Sequence, residues 1–166
     1  MKKIISIIAI AISSISCSNA QQKEFSKETL NYQLTTTNNN KVSFSSILEK
    51  NKGKKIVIEI WAGWCSDCVK AMPKVKEMQV ANTNVSYVFI SMDKQFDKWN
   101  TAIEKHDIKG DHYWVNDEKM MKGEFGKSLE IDWIPRYIVV NELGKIELYR
   151  AIETDFEKID KVLKNK

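Results

Sequence analysis

Apolar residues follow two periods along the chain, and the period predicts the type of each element. Short runs rich in Ile, Val and aromatic residues, or in alternating apolar and polar residues, indicate strands. Apolar residues spaced three or four apart, such as Phe96, Trp99 and Ile103, indicate amphipathic helices. Strands are predicted at 30–34, 41–44, 55–61, 85–92, 112–115, 136–141 and 145–150. Helices are predicted at 45–50, 66–80, 95–106 and 117–125, and from residue 154 onward.

This order of elements predicts an α/β fold. Strands that alternate with helices, followed by a hairpin and a last helix, indicate a mixed central β-sheet flanked by helices. The first two predicted strands form an N-terminal β-hairpin extension. The segment 55–61 is dense in Ile and Val, as expected for a central strand that is covered on both faces. Pro73 falls inside the helix predicted at 66–80 and is expected to kink it.

The N-terminus has the pattern of a targeting segment. Lys2 and Lys3 precede an apolar run at 4–12, which is too short to span a bilayer and is typical of a secretory signal peptide. Small residues then lead to Cys17, and this arrangement resembles a bacterial lipoprotein signal, in which the cysteine becomes lipidated. We therefore expect a signal peptide at 1–16, a polar tether at 17–29 and one domain at 30–166. The alternative is simple secretion, with Cys17 lost in the leader.

Composition and charge narrow the function further. The chain has 166 residues, of which 43% are hydrophobic and 29% charged, as in an ordinary globular domain. Its formal net charge of +4 includes the two leader lysines and is scattered, so the sequence does not predict a nucleic-acid partner.

Two cysteines, Cys65 and Cys68, carry the main chemical signal. They follow the apolar strand through a tight turn and open a helix, where the helix dipole stabilises a thiolate. This geometry predicts a redox-active dithiol that closes to a disulfide and opens again. A static disulfide and a zinc site are the alternatives. Zinc needs two more soft ligands, and the other candidates are Cys17 in the leader, His106 and His112. No metal and no cofactor is therefore predicted.

The spacing also predicts a role for each residue of the site. Cys65 lies nearer the exposed turn and is expected to attack a partner disulfide, while Cys68, deeper in the helix, resolves the mixed disulfide. Glu59 lies six residues before Cys65 within the apolar strand. A carboxyl group buried there has a raised pKa, which suits it to take a proton from Cys68 near neutral pH. The alternative is that Glu59 faces solvent.

A family resemblance rests on these residues together with three others. The stretch from Trp61 to Cys68, Pro73 after it, and the Ile134-Pro135 dipeptide before a strand resemble a thioredoxin-fold protein. More narrowly, they are similar to the TlpA-like extracytoplasmic thiol-disulfide oxidoreductases, over residues 30–164. The resemblance implies a cis bond at Ile134–Pro135 that faces the dithiol. It also implies substrate binding by Trp64, Ile134 and Pro135.

The chain departs from the pattern of the cytochrome c maturation members of this group. Ser66 and Asp67 stand between the cysteines in place of a dipeptide with proline, and are expected to tune the redox potential. Ala71 replaces an acidic residue, so the sequence does not predict cytochrome c maturation. Arg136 replaces a common Thr. We expect Arg136 to select acidic partners or to pair with Asp67, and the alternative is a solvated surface arginine.

The sequence thus predicts an extracytoplasmic thiol-disulfide oxidoreductase of the cell envelope that reduces or isomerises disulfides in partner proteins. We expect it to be a monomer, lipid-anchored on the periplasmic side of a membrane, and supplied with electrons by a membrane donor. A non-enzymatic interaction module with this fold is one alternative. A thiol peroxidase is another, but a peroxidatic cysteine normally stands alone in a loop rich in Thr and Pro.

Overall fold

The computed structural model describes residues 24–165, which form seven strands and six α-helices. The strands are β1 Gln33–Thr36, β2 Lys41–Ser43, β3 Ile56–Trp61, β4 Ser86–Ser91, β5 Asp111–Trp114, β6 Arg136–Val140 and β7 Ile146–Ala151. The helices are α1 Lys27–Asn31, α2 Phe44–Lys50, α3 Ser66–Ala81, α4 Phe96–His106, α5 Glu124–Ser128 and α6 Phe156–Lys164. A single 3₁₀ turn, Met120–Lys122, precedes α5.

All seven strands belong to one mixed sheet. Their order is β2-β1-β5-β4-β3-β6-β7. The pairs β3–β4 and β4–β5 are parallel, whereas β6 runs antiparallel to β3, β7 to β6, and β1 to both β5 and β2. Every residue of β3 is buried, as its apolar sequence predicts for a central strand. The predicted α/β architecture, with a mixed central sheet and an N-terminal hairpin, is confirmed.

The helices bury the apolar stripes that predicted them. Met72, Val75 and Met78 of α3 and Trp99 of α4 all lie in the core. Pro73 is exposed and α3 continues past it, so the proline does not end the helix. The helix predicted at 117–125 is instead the 3₁₀ turn followed by α5. Gly123 has an extended backbone between them and interrupts helical hydrogen bonding.

The tether predicted at 17–29 does not extend over that whole range. Phe25 is buried, and its ring lies edge-on to Phe44 with the centroids 4.9 Å apart. Thr29 is fully buried, and its hydroxyl lies 2.9 Å from the hydroxyl of Ser128 on α5. The folded domain therefore begins before residue 30, because one aromatic and one small polar side chain anchor this segment to distant parts of the chain.

The strand predicted at 30–34 begins later than expected. Residues 27–31 form α1, which Ser26 caps by accepting a hydrogen bond from the Thr29 amide at 3.2 Å. Strand β1 starts at Gln33. The predicted leader and Cys17 lie outside the described residues. Within residues 24–165, no helix is long and apolar enough to cross a membrane.

Candidate active site

The dithiol lies where β3 passes into α3. Strand β3 ends at Trp61, and the Cys65 amide donates a hydrogen bond to the Ala62 carbonyl at 3.1 Å, which closes a tight turn. Cys65 and Cys68 form a disulfide with their Cα atoms 5.3 Å apart. Cys65 is 7% exposed and Cys68 is 0% exposed, so of the two sulfur-bearing residues only Cys65 reaches solvent.

The helix start is arranged to hold a negatively charged sulfur. Cys65 is the N-cap of α3, and its Sγ accepts a hydrogen bond from the Cys68 amide at 3.1 Å. The first turn of a helix carries partial positive charge from amides without intrahelical partners. When the disulfide is reduced, the same amide and dipole stabilise a thiolate on Cys65.

A buried carboxylate, Asp93, supports the turn that carries Cys65. Asp93 follows β4 and is 3% exposed. Its Oδ2 accepts hydrogen bonds from the Gly63 amide at 2.9 Å and from the Ser91 hydroxyl at 2.8 Å, and its carbonyl accepts one from Trp114 Nε1 at 2.6 Å. A Cβ atom on Gly63 would lie 2.5 Å from the Cβ of Ala102, so only glycine allows the turn to lie this close to α4.

The loop before β6 faces the dithiol. The Ile134–Pro135 peptide bond is cis, and the Ile134 carbonyl oxygen lies 3.5 Å from Cys65 Sγ. Trp64 is 54% exposed and Trp133 is 49% exposed, although both are large apolar side chains. Together with Ile134, Asp67 and Met121 they line a groove of about 270 Å³ around Cys65, which we call the dithiol groove. Trp64 and Ile134 thus lie at the sulfur, as the resemblance implied, and Pro135 directly follows.

Glu59 is buried on β3. It is 1% exposed, and neither carboxylate oxygen has a hydrogen-bond partner within residues 24–165. Burial raises the pKa of Glu59 from 4.5 to about 8. Tyr137 lies opposite Glu59 in the β3–β6 register, and its hydroxyl acts in the opposite direction by lowering the pKa of Glu59. The hydroxyl and the carboxyl group nevertheless do not form a hydrogen bond of ordinary geometry. The buried position of Glu59 agrees with the prediction, and the solvent-facing alternative is wrong.

Arg136 has a different environment from the one predicted. It is 6% exposed, its Nη2 is paired with Asp132 at 2.5 Å, and its Nη1 donates to the Arg150 carbonyl at 2.7 Å. The alternative of a solvated surface arginine is therefore wrong. The predicted pair with Asp67 is also wrong, because the guanidinium of Arg136 pairs with Asp132, while Oδ1 of Asp67 lies 3.6 Å from Lys70 Nζ. Arg136 joins the loop before β6 to β7, and it does not line the dithiol groove.

Other candidate ligands lie away from the dithiol. His112 stacks on Phe89 with the ring centroids 5.2 Å apart, and its Nε2 lies 3.0 Å from the Ile108 carbonyl. Burial lowers the pKa of His112, as expected for a neutral core histidine. In the part of the chain from Glu24 to Asn165, no three His, Cys, Asp or Glu side chains are grouped to hold a metal ion.

Two residues that shape the site, Asp93 and Trp133, were not predicted from the sequence. Asp93 is the second residue after β4, and β4 is parallel to β3, so the carboxyl ends of the two strands meet at the same end of the sheet. The sequence did contain a signal for Asp93, because a polar residue follows the strand that neighbours the cysteine-bearing strand. Trp133, next to Ile134, was the other residue missed, and an aromatic residue beside the cis proline was its signal.

Comparisons with known proteins agree with this geometry. The profile of a family described as thioredoxin-like matches residues 53–146. The thiol-disulfide oxidoreductase ResA of Bacillus cereus is 24% identical over 149 residues, which cover 89% of this chain and 81% of that protein.

Two solved structures share the fold. A thiol-disulfide oxidoreductase from Bacteroides fragilis superposes with a TM-score of 0.65 at 24% identity, covering 79% of this chain and 96% of that one. A secreted disulfide oxidoreductase of Mycobacterium tuberculosis, described as homologous to E. coli DsbE, gives a TM-score of 0.63 at 16% identity, covering 83% and 98%. With the fold, the cysteine pair and the facing cis proline in place, the match over residues 53–146 shows that this chain belongs to the thioredoxin-like family.

Proposed function

We propose that this protein is a thiol-disulfide oxidoreductase that works outside the cytoplasm and reduces or isomerises disulfides in partner proteins. One observation carries the proposal. The Cys65–Cys68 disulfide caps a helix and faces the Ile134 carbonyl beside a cis proline. The names of the relatives, which are thiol-disulfide or disulfide oxidoreductases, support the same reaction class.

The reaction begins with the reduced dithiol. The Cys65 thiolate attacks one sulfur of a partner disulfide, which forms a mixed disulfide and releases the other partner sulfur as a thiol. Cys68 then attacks Cys65 Sγ, and the second partner thiol leaves. Two protein thiols have become one disulfide, and one partner disulfide has become two thiols. The greater exposure of Cys65 supports its role as the attacking group.

Glu59 is proposed to accept the proton of Cys68 during the second step. Cys68 is fully buried, so losing its proton to bulk water is slow without a nearby base. With a pKa of about 8, Glu59 is ionised in about one molecule in ten at pH 7, and this ionised fraction is the form that accepts the Cys68 proton. The Glu59→Gln variant is therefore expected to slow resolution of the mixed disulfide more than its formation.

The location is proposed from the N-terminal sequence. Small residues before Cys17 suit lipidation, and several acyl chains on one residue hold a protein firmly to a membrane. Electrons would then come from a membrane donor on the same side. Cys17→Ser is expected to move the protein into the soluble fraction, and unchanged partitioning into membranes would contradict the anchor without affecting the reaction.

Reduction of a small neutral disulfide tests the reaction itself. The reduced protein is mixed with bis(2-hydroxyethyl) disulfide, and loss of protein thiols is followed after acid quenching. Wild type is expected to react, Cys65→Ala is expected not to, and Cys68→Ala is expected to stop at a mixed disulfide on Cys65. Partner proteins trapped in this way can be identified by mass spectrometry. A wild type no faster than free cysteine would favour a non-enzymatic interaction module.

A further inference from the structure

A second pocket adjoins the dithiol groove at Trp64. It has a volume of about 410 Å³, and its lining residues are Trp64, Asp93, Lys94, Gln95, Lys98 and Met120. We call it the Trp64 pocket. Trp64 lines both this pocket and the dithiol groove. Trp64 directly precedes Cys65, so the pocket begins one residue from the sulfur that would react with a partner disulfide.

The residues that line the pocket include two with apolar side chains and two with positively charged side chains. Trp64 is half exposed, and Met120 is partly buried against the core, so both offer apolar surface to a ligand. Lys94 and Lys98 are exposed, and neither forms an ion pair with any residue in the range 24–165. Asp93 is the one acidic lining residue, and its Oδ2 accepts hydrogen bonds from the Gly63 amide and the Ser91 hydroxyl.

The position of α4 adds to this positive character. Lys94 and Gln95 directly precede α4, and Lys98 lies in its first turn. Gln95 is the N-cap but makes no side-chain capping hydrogen bond, so backbone amides at the start of this 11-residue helix have no side-chain partner at the N-cap. Asp97 is exposed in the same turn but does not line the pocket.

We infer that the Trp64 pocket binds the segment beside the reacting cysteine of a partner protein, with an apolar or aromatic side chain against Trp64 and Met120 and a carboxylate near Lys94 and Lys98. This inference rests on the proposed function and names its substrate class, namely disulfides flanked by aromatic and acidic residues. Charge complementarity favours this occupant over a basic segment. The selection of acidic partners thus falls to these two lysines, not to the buried Arg136.

Three peptide disulfides test the inference. Each is a homodimer of a short peptide with Phe next to its single Cys, and the residues beyond Phe are two Glu, two Gln or two Lys. Reduced wild-type protein is mixed with each dimer, and the released peptide thiol is measured by chromatography. At low salt the Glu dimer is expected to react about fivefold faster than the Lys dimer, with the Gln dimer between them, and the difference shrinks at high salt.

A charge-reversal variant locates the effect. In Lys94→Glu/Lys98→Glu the order of the three dimers is expected to reverse. The matched control is Lys161→Glu/Lys164→Glu, which makes the same change in net charge at two exposed lysines near the end of α6. If only net charge matters, the two double variants behave alike, and the inference is wrong.

A neutral disulfide distinguishes failure of the proposed reaction from failure of the proposed pocket. Bis(2-hydroxyethyl) disulfide carries no charge and no aromatic group, so its rate of reduction by each variant is the reference to which the rates of the three dimers are normalised. Failure of wild type with this probe contradicts the proposed function. Normal reaction with it, together with equal rates for the Glu and Lys dimers, contradicts the Trp64 pocket alone. A second copy of the chain as occupant would instead appear as a dimer in size-exclusion chromatography that the lysine reversal abolishes.

Discussion

Replacing Glu59 with glutamine is expected to change how the stability of the protein depends on pH. Glu59 is buried without a hydrogen-bond partner in the described chain, and burial raises its pKa from 4.5 to about 8. The folded protein therefore keeps this proton through neutral pH, whereas the unfolded chain loses it near pH 4.5. Because the folded state binds more protons in this window, the free energy of unfolding falls as pH rises from about 4.5 to 8.

The size of the effect follows from the two pKa values. One pH unit corresponds to about 1.4 kcal/mol, so the span from 4.5 to about 8 lowers the free energy of unfolding by about 5 kcal/mol in total. At pH 7 the loss is about 3 kcal/mol. The glutamine variant has no proton to lose, so its stability relative to wild type increases with pH. Any constant cost of burying the amide does not change with pH.

Urea unfolding of the two oxidised proteins measures this difference. The disulfide form is used because its cysteines do not titrate, and all other ionisable groups cancel in the comparison. Glu142→Gln, at an exposed glutamate in the turn between β6 and β7, is the matched control and is expected to follow wild type at every pH. A stability difference between Glu59→Gln and wild type that stays constant from pH 5 to pH 8 would refute the reasoning.

Three further changes test other parts of the site. Asp67→Asn removes a negative charge beside Cys65, so it is expected to make the redox potential less negative by up to about 30 mV. Titration against glutathione measures the potential, and a more negative value would contradict this electrostatic account. Asp93→Asn is expected to cost about 1–2 kcal/mol in urea unfolding and to slow reaction with bis(2-hydroxyethyl) disulfide, and a variant unchanged in both would remove Asp93 from its supporting role. Arg136→Met is expected to cost about 1–3 kcal/mol, since Asp132 is mostly exposed and stays hydrated; a change below about 0.5 kcal/mol would argue against the loop-anchoring role.

Periodicity predicted the central elements well because each is long or strongly apolar. Strand β3 and helices α3 and α4 fall within a residue or two of their predicted bounds. The core buries the regularly spaced apolar residues of these segments, so the element that the local pattern predicts is also the element that the fold requires. Cys65, Cys68 and Glu59 could be placed for the same reason, since the position of each is set by β3 and the first turn of α3.

The remaining errors come from contacts between distant parts of the chain. The segment before residue 30 is mostly polar, yet Phe25 packs against Phe44 and Thr29 contacts Ser128. The local sequence pattern does not indicate such distant partners. Arg136 is a charged residue in an apolar strand, and its burial depends on Asp132 and the Arg150 carbonyl. Where a polar side chain finds its partner across the fold, sequence spacing alone does not show which way it points.

The N-terminal hairpin also determines which backbone groups a neighbouring molecule can reach. By pairing with β5, it leaves β2 and β7 as the two edges of the sheet. Strand β2 has only three residues, and β7 has register shifts against β6 and carries Glu147 and Arg150. Short, bulged and charged edge strands resist pairing with strands of other chains. Copies of this protein at high local concentration would therefore meet without a ready template for sheet-to-sheet aggregation.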